Sequence, residues 1–160
     1  MVTWKEFAAA ESELANVGRS LLFQFKVGLA FLATVRKDGA PRLHPVCPVL
    51  SEDRLFVLIT PTSPKRDDLL GDGRYALQAF PEPKPGGDEF YIAGKAVRVD
   101  DVAARAGILR DAKHMADASE TAFELWIDRA MHTRWEHVLT PQMCSVHRKW
   151  RASAAPGAPS

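Results

Sequence analysis

Apolar residues at the start of the chain recur every three or four positions, which is the spacing of one helical face. Thr3 and Glu6 form a capping-box pattern that begins this helix at Thr3. The apolar stripe contains Trp4, Phe7, Ala8, Leu14, Ala15, Gly18, Leu21, Leu22 and Phe25. Glu11 is the one charge on the stripe, so the pattern predicts a single N-terminal helix packed across a sheet or a partner subunit.

From position 28 the pattern changes to short apolar runs, which are typical of strands. The predicted strands cover residues 28–36, 41–50, 54–60, 74–80, 89–99, 123–127, 130–135 and 144–150. Asp38-Gly39 lies between the first two and indicates a hairpin turn. Prolines at 41, 45 and 48 predict that the second strand lies at an edge or carries a bulge, because proline donates no ladder hydrogen bond. Gly94 predicts a bulge in the fifth strand.

Two further helices are predicted among these strands. Ser63 is a cap residue and Pro64 occupies the first helical position, which predicts a helix over residues 64–70. Another helix is predicted over 101–115, and residues 152–160 have the composition of a disordered tail. The connections are mostly hairpin-sized and show no βαβ alternation. We therefore expect one domain over residues 1–151, a mainly β antiparallel barrel with peripheral helices.

Composition narrows the possible functions. The chain has 160 residues, 46% of them hydrophobic and 26% charged, as expected for one ordinary globular domain. Its formal net charge of +1 argues against a nucleic-acid binder or a membrane-surface protein. Cys47 and Cys144 form no CxxC pattern, so we expect reduced thiols and a cytoplasmic location. The longest apolar run, 27–35, is too short to span a bilayer, and the first residues lack a signal-peptide pattern.

The segment from Thr60 to Arg66 contains the most informative chemistry. Thr60, Ser63, Lys65 and Arg66 place hydroxyls and cations at the start of the predicted helix. The N-terminus of a helix carries partial positive charge, so cations there are unfavourable unless an anion offsets them. One interpretation is a phosphate-binding turn. The other is a solvated turn in which the two aspartates that follow neutralise the cations.

The second strand adds two candidate side chains. Arg42 and His44 share one face of it, and they can point towards a ligand beside the Ser63 turn. For His44 the alternative is an ordinary surface or rim histidine. The opposite face carries Leu43, Cys47 and Val49 and is expected to face the core.

Three stretches together resemble a known family, the flavin-binding split β-barrel proteins related to pyridoxamine 5′-phosphate oxidase. The matching patterns are DG-x-PR-x-HPV, SPK-x-x-DL-x-x-x-x-RYAL and EFYIAGKAVRVDD, and the resemblance covers roughly residues 28–151. It implies a homodimer of six-stranded split barrels with a cofactor at the subunit interface, most often FMN. Related proteins with this barrel bind a 5-deazaflavin instead.

The resemblance also implies roles for individual residues. Arg42 corresponds to a basic residue that faces the cofactor phosphate or ring edge. The phosphate turn corresponds to Thr60, Ser63, Lys65 and Arg66. Glu89 falls near a glutamine that contacts the flavin in the oxidase, and Cys47 stands roughly where the oxidase has a cofactor-binding lysine. The oxidase's C-terminal Arg-x-His-x-Arg signature is not matched, so vitamin B6 oxidation is not assumed.

Aromatic residues near the C-terminus are the last candidates. Trp135 and Trp150 lie in polar contexts and can wall a planar ligand, although core or dimer packing is the alternative. No catalytic base is expected, because a flavin itself accepts or gives hydride. The histidines predict no metal site.

These observations leave three hypotheses open. The first is an FMN-dependent oxidoreductase that acts on an unidentified small molecule. The second is a 5-deazaflavin-dependent reductase on the same fold. The third is a non-enzymatic module that binds a flavin, haem or another planar ligand, which the residues at Cys47 and Glu89 favour, or that keeps only an empty dimeric scaffold.

Overall fold

The computed structural model describes residues 1–113 and 116–153. Its helices are α1 (Trp4–Ala10), α2 (Ser12–Leu22), α3 (Pro64–Gly71) and α4 (Val102–Ala112). Its strands are β1 (Ala30–Val35), β2 (Pro41–Val46), β3 (Val49–Ser51), β4 (Arg54–Ile59), β5 (Arg74–Ala79), β6 (Glu89–Arg98), β7 (Thr121–Glu136) and β8 (Cys144–Arg151). The end of the helix predicted to reach Met115, and residues 154–160 of the predicted tail, lie outside the described residues.

All strands join one antiparallel sheet in the order β2-β1-β5-β6-β7-β4-β3, and β8 pairs with β7. The sheet therefore has eight strands rather than the six that we expected. Its two outer strands, β2 and β3, are separated in the chain only by Cys47 and Pro48. A connection of two residues spans roughly 10 Å. The two edges must therefore meet, and the sheet curls into a half-barrel.

Proline explains why the second predicted strand divides. Residues 41–50 form β2 and β3, which pair with β1 and β4 respectively, and the break falls at Cys47-Pro48. The prediction that β2 lies at an edge is confirmed. The prediction that the face carrying Leu43 turns towards the core is wrong for β2. Leu43 is 63% exposed, and Val46, on the face of Arg42 and His44, is buried in the core.

The long hairpin of β6 and β7 forms the middle of the sheet. The predicted bulge is confirmed, because the register of the pair shifts between Ala93 and Gly94. A Cβ atom at Gly94 would lie 2.0 Å from the carbonyl oxygen of Trp126, so this close approach requires glycine. The separate strands predicted at 123–127 and 130–135 are one strand, since β7 continues along β6 and then pairs with β8.

The predicted N-terminal helix is present as two helices. Thr3 and Glu6 form the capping box, and the Glu6 backbone N–H donates to Thr3 Oγ1 at 3.3 Å. The helix breaks at Glu11, whose φ of −141° is not helical. The break lets α1 place Phe7 against Trp150, with their ring centroids 4.9 Å apart, while α2 packs on the same core.

The two N-terminal helices close one side of the main core. In that core, Leu32, Leu77 and Ile92 from the inner face of the sheet meet Phe7 and Leu14 from the helices. A smaller cluster under α4 contains Ile108, Val49, Phe56, Val99, Ala112 and Ala122. None of the helices in the described ranges is long and apolar enough to cross a membrane.

Candidate functional site

The turn between β4 and α3 has an N-cap hydroxyl that does not cap the helix, and α2, which begins after Glu11, also lacks a side-chain cap. Ser63 is the N-cap of α3, but its side chain makes no capping hydrogen bond, whereas Thr3 and Asp101 cap α1 and α4 with their side chains. The Ser63 backbone N–H donates to the Thr60 carbonyl at 3.1 Å. Proline at the next position has no N–H to donate. The Ser63 hydroxyl and the positive end of α3 are therefore available to an anion.

The two cations of this turn point to different partners. Arg66 Nε donates to Thr121 Oγ1 at 2.9 Å, and its Nη1 lies 3.2 Å from an oxygen of Asp67. Lys65 makes no ion pair within the described part of the chain, and it lines a small pocket of about 180 Å³ together with Thr60. Lys65 is therefore without an ion pair among the described residues, whereas Arg66 is engaged by Asp67 and by Thr121 at the start of β7.

The positive charge of Lys65 acts on the carboxylate of Glu120. Burial and the charge of Asp117 raise the pKa of Glu120, and the positive charge of Lys65 partly offsets this rise. Cys47 lines the same pocket as Lys65, and burial followed by the charge of Glu120 raises the pKa of its thiol. A raised pKa keeps Cys47 protonated, so it is not an activated nucleophile.

Arg42 lies on the other side of the start of α3 and is anchored by a buried aspartate. Its Nε donates to Asp68 Oδ2 at 2.7 Å, and Thr34 Oγ1 donates to the same oxygen at 2.7 Å. Arg42 and Asp68 line an open groove of about 560 Å³ that also reaches Pro64 at the start of α3. Asp68 therefore neutralises Arg42, rather than the two cations inside the turn.

His44 lies two residues beyond Arg42 on the same face of β2 and is exposed. It pairs across the sheet with Leu32. No hydrogen bond joins His44 to another described side chain. The structure places it at the barrel rim near Arg42, and a role in ligand binding stays a prediction.

The remaining candidates lie on β6, β7 and β8. Trp135 Nε1 donates to Glu89 Oε1 at 3.2 Å, so these two predicted residues meet. Trp150 instead packs under α1 against Phe7. Ser145 of β8 pairs with Trp135, and Trp150 lies five residues beyond Ser145 on the same strand. Side chains five residues apart on a strand face opposite sides of the sheet. Trp150 therefore does not share a ligand wall with Trp135 in the same chain.

Sequence reasoning missed Thr34 and the specific role of Asp68. The available signal was the alternation of β1, which places Thr34 on the inward side with Leu32 and is unusual for a polar residue. The register then places Arg42 opposite Thr34. Across the described ranges, no group of three or more His, Cys, Asp or Glu side chains is arranged to hold a metal ion.

Comparison with solved structures identifies the fold. A haem-binding protein from Mycobacterium smegmatis has a TM-score of 0.59 at 17% identity, over 79% of this chain and 55% of that one. A Listeria innocua protein assigned as a pyridoxamine 5′-phosphate oxidase has 0.58 at 15%, over 78% and 96%. The chain has the pyridoxamine 5′-phosphate oxidase-like fold. PhzG from Burkholderia lata 383, in complex with tetrahydrophenazine-1-carboxylic acid, has 0.55 at 13%, over 92% and 93%.

These comparisons confirm the suspected relationship at the level of fold. No sequence profile of a protein family and no curated protein sequence matches the chain. The chain spans 55% of the length of the haem-binding protein. Because this fold carries both haem-binding proteins and oxidases, the chemistry must be argued from the site.

Proposed function

We propose that this protein binds FMN and acts as an oxidoreductase on a small molecule. The observation that carries the proposal is the start of α3. There the Ser63 hydroxyl makes no capping hydrogen bond, and Lys65 has no ion-pair partner among the described residues. A phosphate monoester satisfies both groups, since its oxygens accept from a hydroxyl and a lysine at the positive end of a helix.

The donor set fits a phosphorylated flavin. Ser63 and Lys65 supply donors from the turn, where Lys65 lines one pocket. Arg42 supplies a guanidinium from a separate groove that reaches Pro64 at the start of the same helix. Bound FMN supplies a ring that accepts or gives hydride. The side chains of this chain hold the phosphate and orient the ring, so no general base is required of them.

The proposed functional unit is a homodimer, with the cofactor at the interface. Leu43, Ala33 and Ala76 are successive partners across β2, β1 and β5, on the face opposite the inward residues, and the row ends at the buried Ala93 of β6. Such a flat apolar row suits close approach by a second copy. We expect Leu43→Asp to convert a dimer to a monomer in sedimentation velocity, and Val102→Asp, at another exposed apolar position, to leave it dimeric. A monomeric wild type would contradict this assembly.

The visible spectrum of the purified protein, followed by titration with FMN, tests the proposed function. Lys65→Ala should weaken FMN binding at least tenfold, because a hydrogen bond to a charged group contributes about 1.5–3 kcal/mol. Lys5→Ala is the matched control, since Lys5 is an exposed lysine on α1. Arg66 is held by Thr121, so the single Lys65 variant tests the phosphate contact more directly than a double variant. Unchanged affinity in Lys65→Ala would remove this turn from the site.

The same titration separates the alternatives. A 5-deazaflavin carries a longer anionic tail, which would have to meet a groove that holds three cations, Arg36, Lys37 and Arg42, and also three aspartates. Haem binding is the second alternative, because a haem-binding protein shares the fold. Tight binding of the deazaflavin or haem without affinity for FMN would replace the FMN proposal with the corresponding alternative. Bound flavin that no nicotinamide or other reductant reduces would favour a binding module.

A further inference from the structure

We propose that Asp68 is a positioning residue that aims Arg42 at the phosphate of the ligand. This inference rests on the proposed function and adds to it a determinant of selectivity for the phosphorylated ligand. Asp68 is the fifth residue of α3 and Arg42 is on β2, so the contact joins the helix to the sheet edge.

The geometry of the contact leaves the binding end of the arginine free. Asp68 receives Arg42 through Nε at 2.7 Å, and no hydrogen bond to a described group uses the two terminal nitrogens of the guanidinium. Within the described ranges, the hydroxyl of Tyr75 is the one buried side-chain polar atom without a hydrogen bond. The terminal nitrogens of Arg42 are therefore not buried, and they face solvent at the groove that Arg42 lines.

Burial makes the aspartate an effective anchor. The Asp68 side chain is 8% exposed and that of Arg42 is 23% exposed, so the pair is largely shielded from water. Thr34 donates to the same carboxylate oxygen and fixes it from the sheet side. Because the hydroxyl of Thr34 fixes the carboxylate of Asp68, the carboxylate holds the guanidinium of Arg42 in one orientation. This reduces the entropy that the arginine loses when a ligand binds.

The groove that receives this end of Arg42 offers an anion the two terminal nitrogens of its guanidinium. It reaches Pro64, the first residue of α3, so Arg42 and the positive end of the helix border the same space. Arg36 and Lys37, from the hairpin between β1 and β2, also line it, as do the carboxylates of Asp38 and Asp67. Those two carboxylates already have cationic partners, since Asp38 pairs with Arg36 and Asp67 with Arg66. A guanidinium with both terminal nitrogens free binds two oxygens of one phosphate. The ligand class is therefore a phosphate monoester, and the riboflavin part of the ligand is bound by other groups.

Binding of FMN and of riboflavin to the full chain, measured by quenching of flavin fluorescence, tests this role. We expect Asp68→Asn to weaken FMN binding at least tenfold and to change riboflavin binding less than twofold. Arg42→Lys keeps the charge but loses the two-nitrogen contact, and it should show the same selective loss. Asp72→Asn is the control, because it removes the same charge from the far end of α3, and its FMN affinity should match wild type.

The possible results distinguish this inference from the proposed function. If wild type prefers FMN to riboflavin and Asp68→Asn keeps that preference, Asp68 has no positioning role and the FMN proposal stands. Tighter FMN binding by Asp68→Asn would show that the carboxylate competes with the phosphate, which also overturns the inference. Equal losses for both ligands would indicate a structural role only. If wild type binds neither flavin, both proposals fail. Should Asp68→Asn not fold, Arg42→Lys decides by the same comparison.

Discussion

The pair of Arg54 and Glu124 holds β4 against β7 just before the chain enters the candidate site. Arg54 Nε donates to Glu124 Oε1 at 2.7 Å, and Arg54 Nη2 donates to the other carboxylate oxygen. The Glu124 side chain is 4% exposed and also accepts from Trp126 Nε1 at 3.1 Å. Substitution of Arg54 by leucine would leave this carboxylate buried with one remaining donor.

The expected loss of stability follows from that burial. Removal of one partner from a buried ion pair costs about 3–5 kcal/mol. We expect the lower end, about 3 kcal/mol, because Arg54 itself is 39% exposed and Trp126 still donates to Glu124. In a domain of this size that corresponds to a fall in Tm of about 6–12 °C. Urea denaturation and thermal melting followed by circular dichroism measure both quantities.

Two further variants test the reasoning. Arg19→Leu removes an exposed pair with Asp53, so its stability should stay within about 1 kcal/mol of wild type. Adding Glu124→Gln to Arg54→Leu should recover at least about 1 kcal/mol, because the neutral amide still accepts from the indole and no charge is buried. A loss below about 1 kcal/mol in Arg54→Leu alone would refute the claim that this pair is effectively buried.

Three other outcomes are expected. Gly94→Ala should destabilise the domain by about 1–3 kcal/mol in urea denaturation, since its Cβ would lie 2.0 Å from the Trp126 carbonyl oxygen, and a wild-type midpoint would contradict the bulge geometry. Hydrogen bonds from Arg74 hold the pKa of Asp72 at about 2, below its ordinary 3.8, so its contribution to stability is present above pH 4 and is lost as the pH falls towards 2. Asp72→Asn should therefore differ from wild type at pH 5 and match it near pH 2. The thiol of Cys47, with its raised pKa, should react with iodoacetamide more slowly than the other cysteine, which is exposed, and equal rates would refute the assigned burial.

Local patterns predicted many of the elements. The capping box at Thr3, the helix that begins at Pro64, the edge position of β2 and the bulge at Gly94 all depend on short-range chemistry, and the structure contains each of them. The division of the N-terminal helix at Glu11 was not predicted, because the apolar spacing continues through the break. Its cause is the curved inner face of the sheet, to which α1 and α2 pack separately.

Strand boundaries depended on partners that are distant in sequence. The second predicted strand pairs at its two ends with different neighbours, so only the closure of the barrel separates β2 from β3. The same closure explains why Leu43 is exposed. Alternation alone assigned Leu43 to the core, but β2 lies at an edge, and Val46, three residues further along the strand and on its opposite face, is the buried residue.

By itself, the sequence determined the chemical inventory of this protein: a mainly β antiparallel chain, nearly neutral, with hydroxyls and cations at the start of one short helix. These features are encoded by neighbouring residues and need no tertiary contact. The tertiary structure decided how the cations are used. It pairs Arg42 with Asp68, turns Arg66 to Thr121 and leaves Lys65 unpaired in the described chain. Those choices depend on contacts between residues 26 and 55 positions apart, which only the closed barrel brings within hydrogen-bond distance.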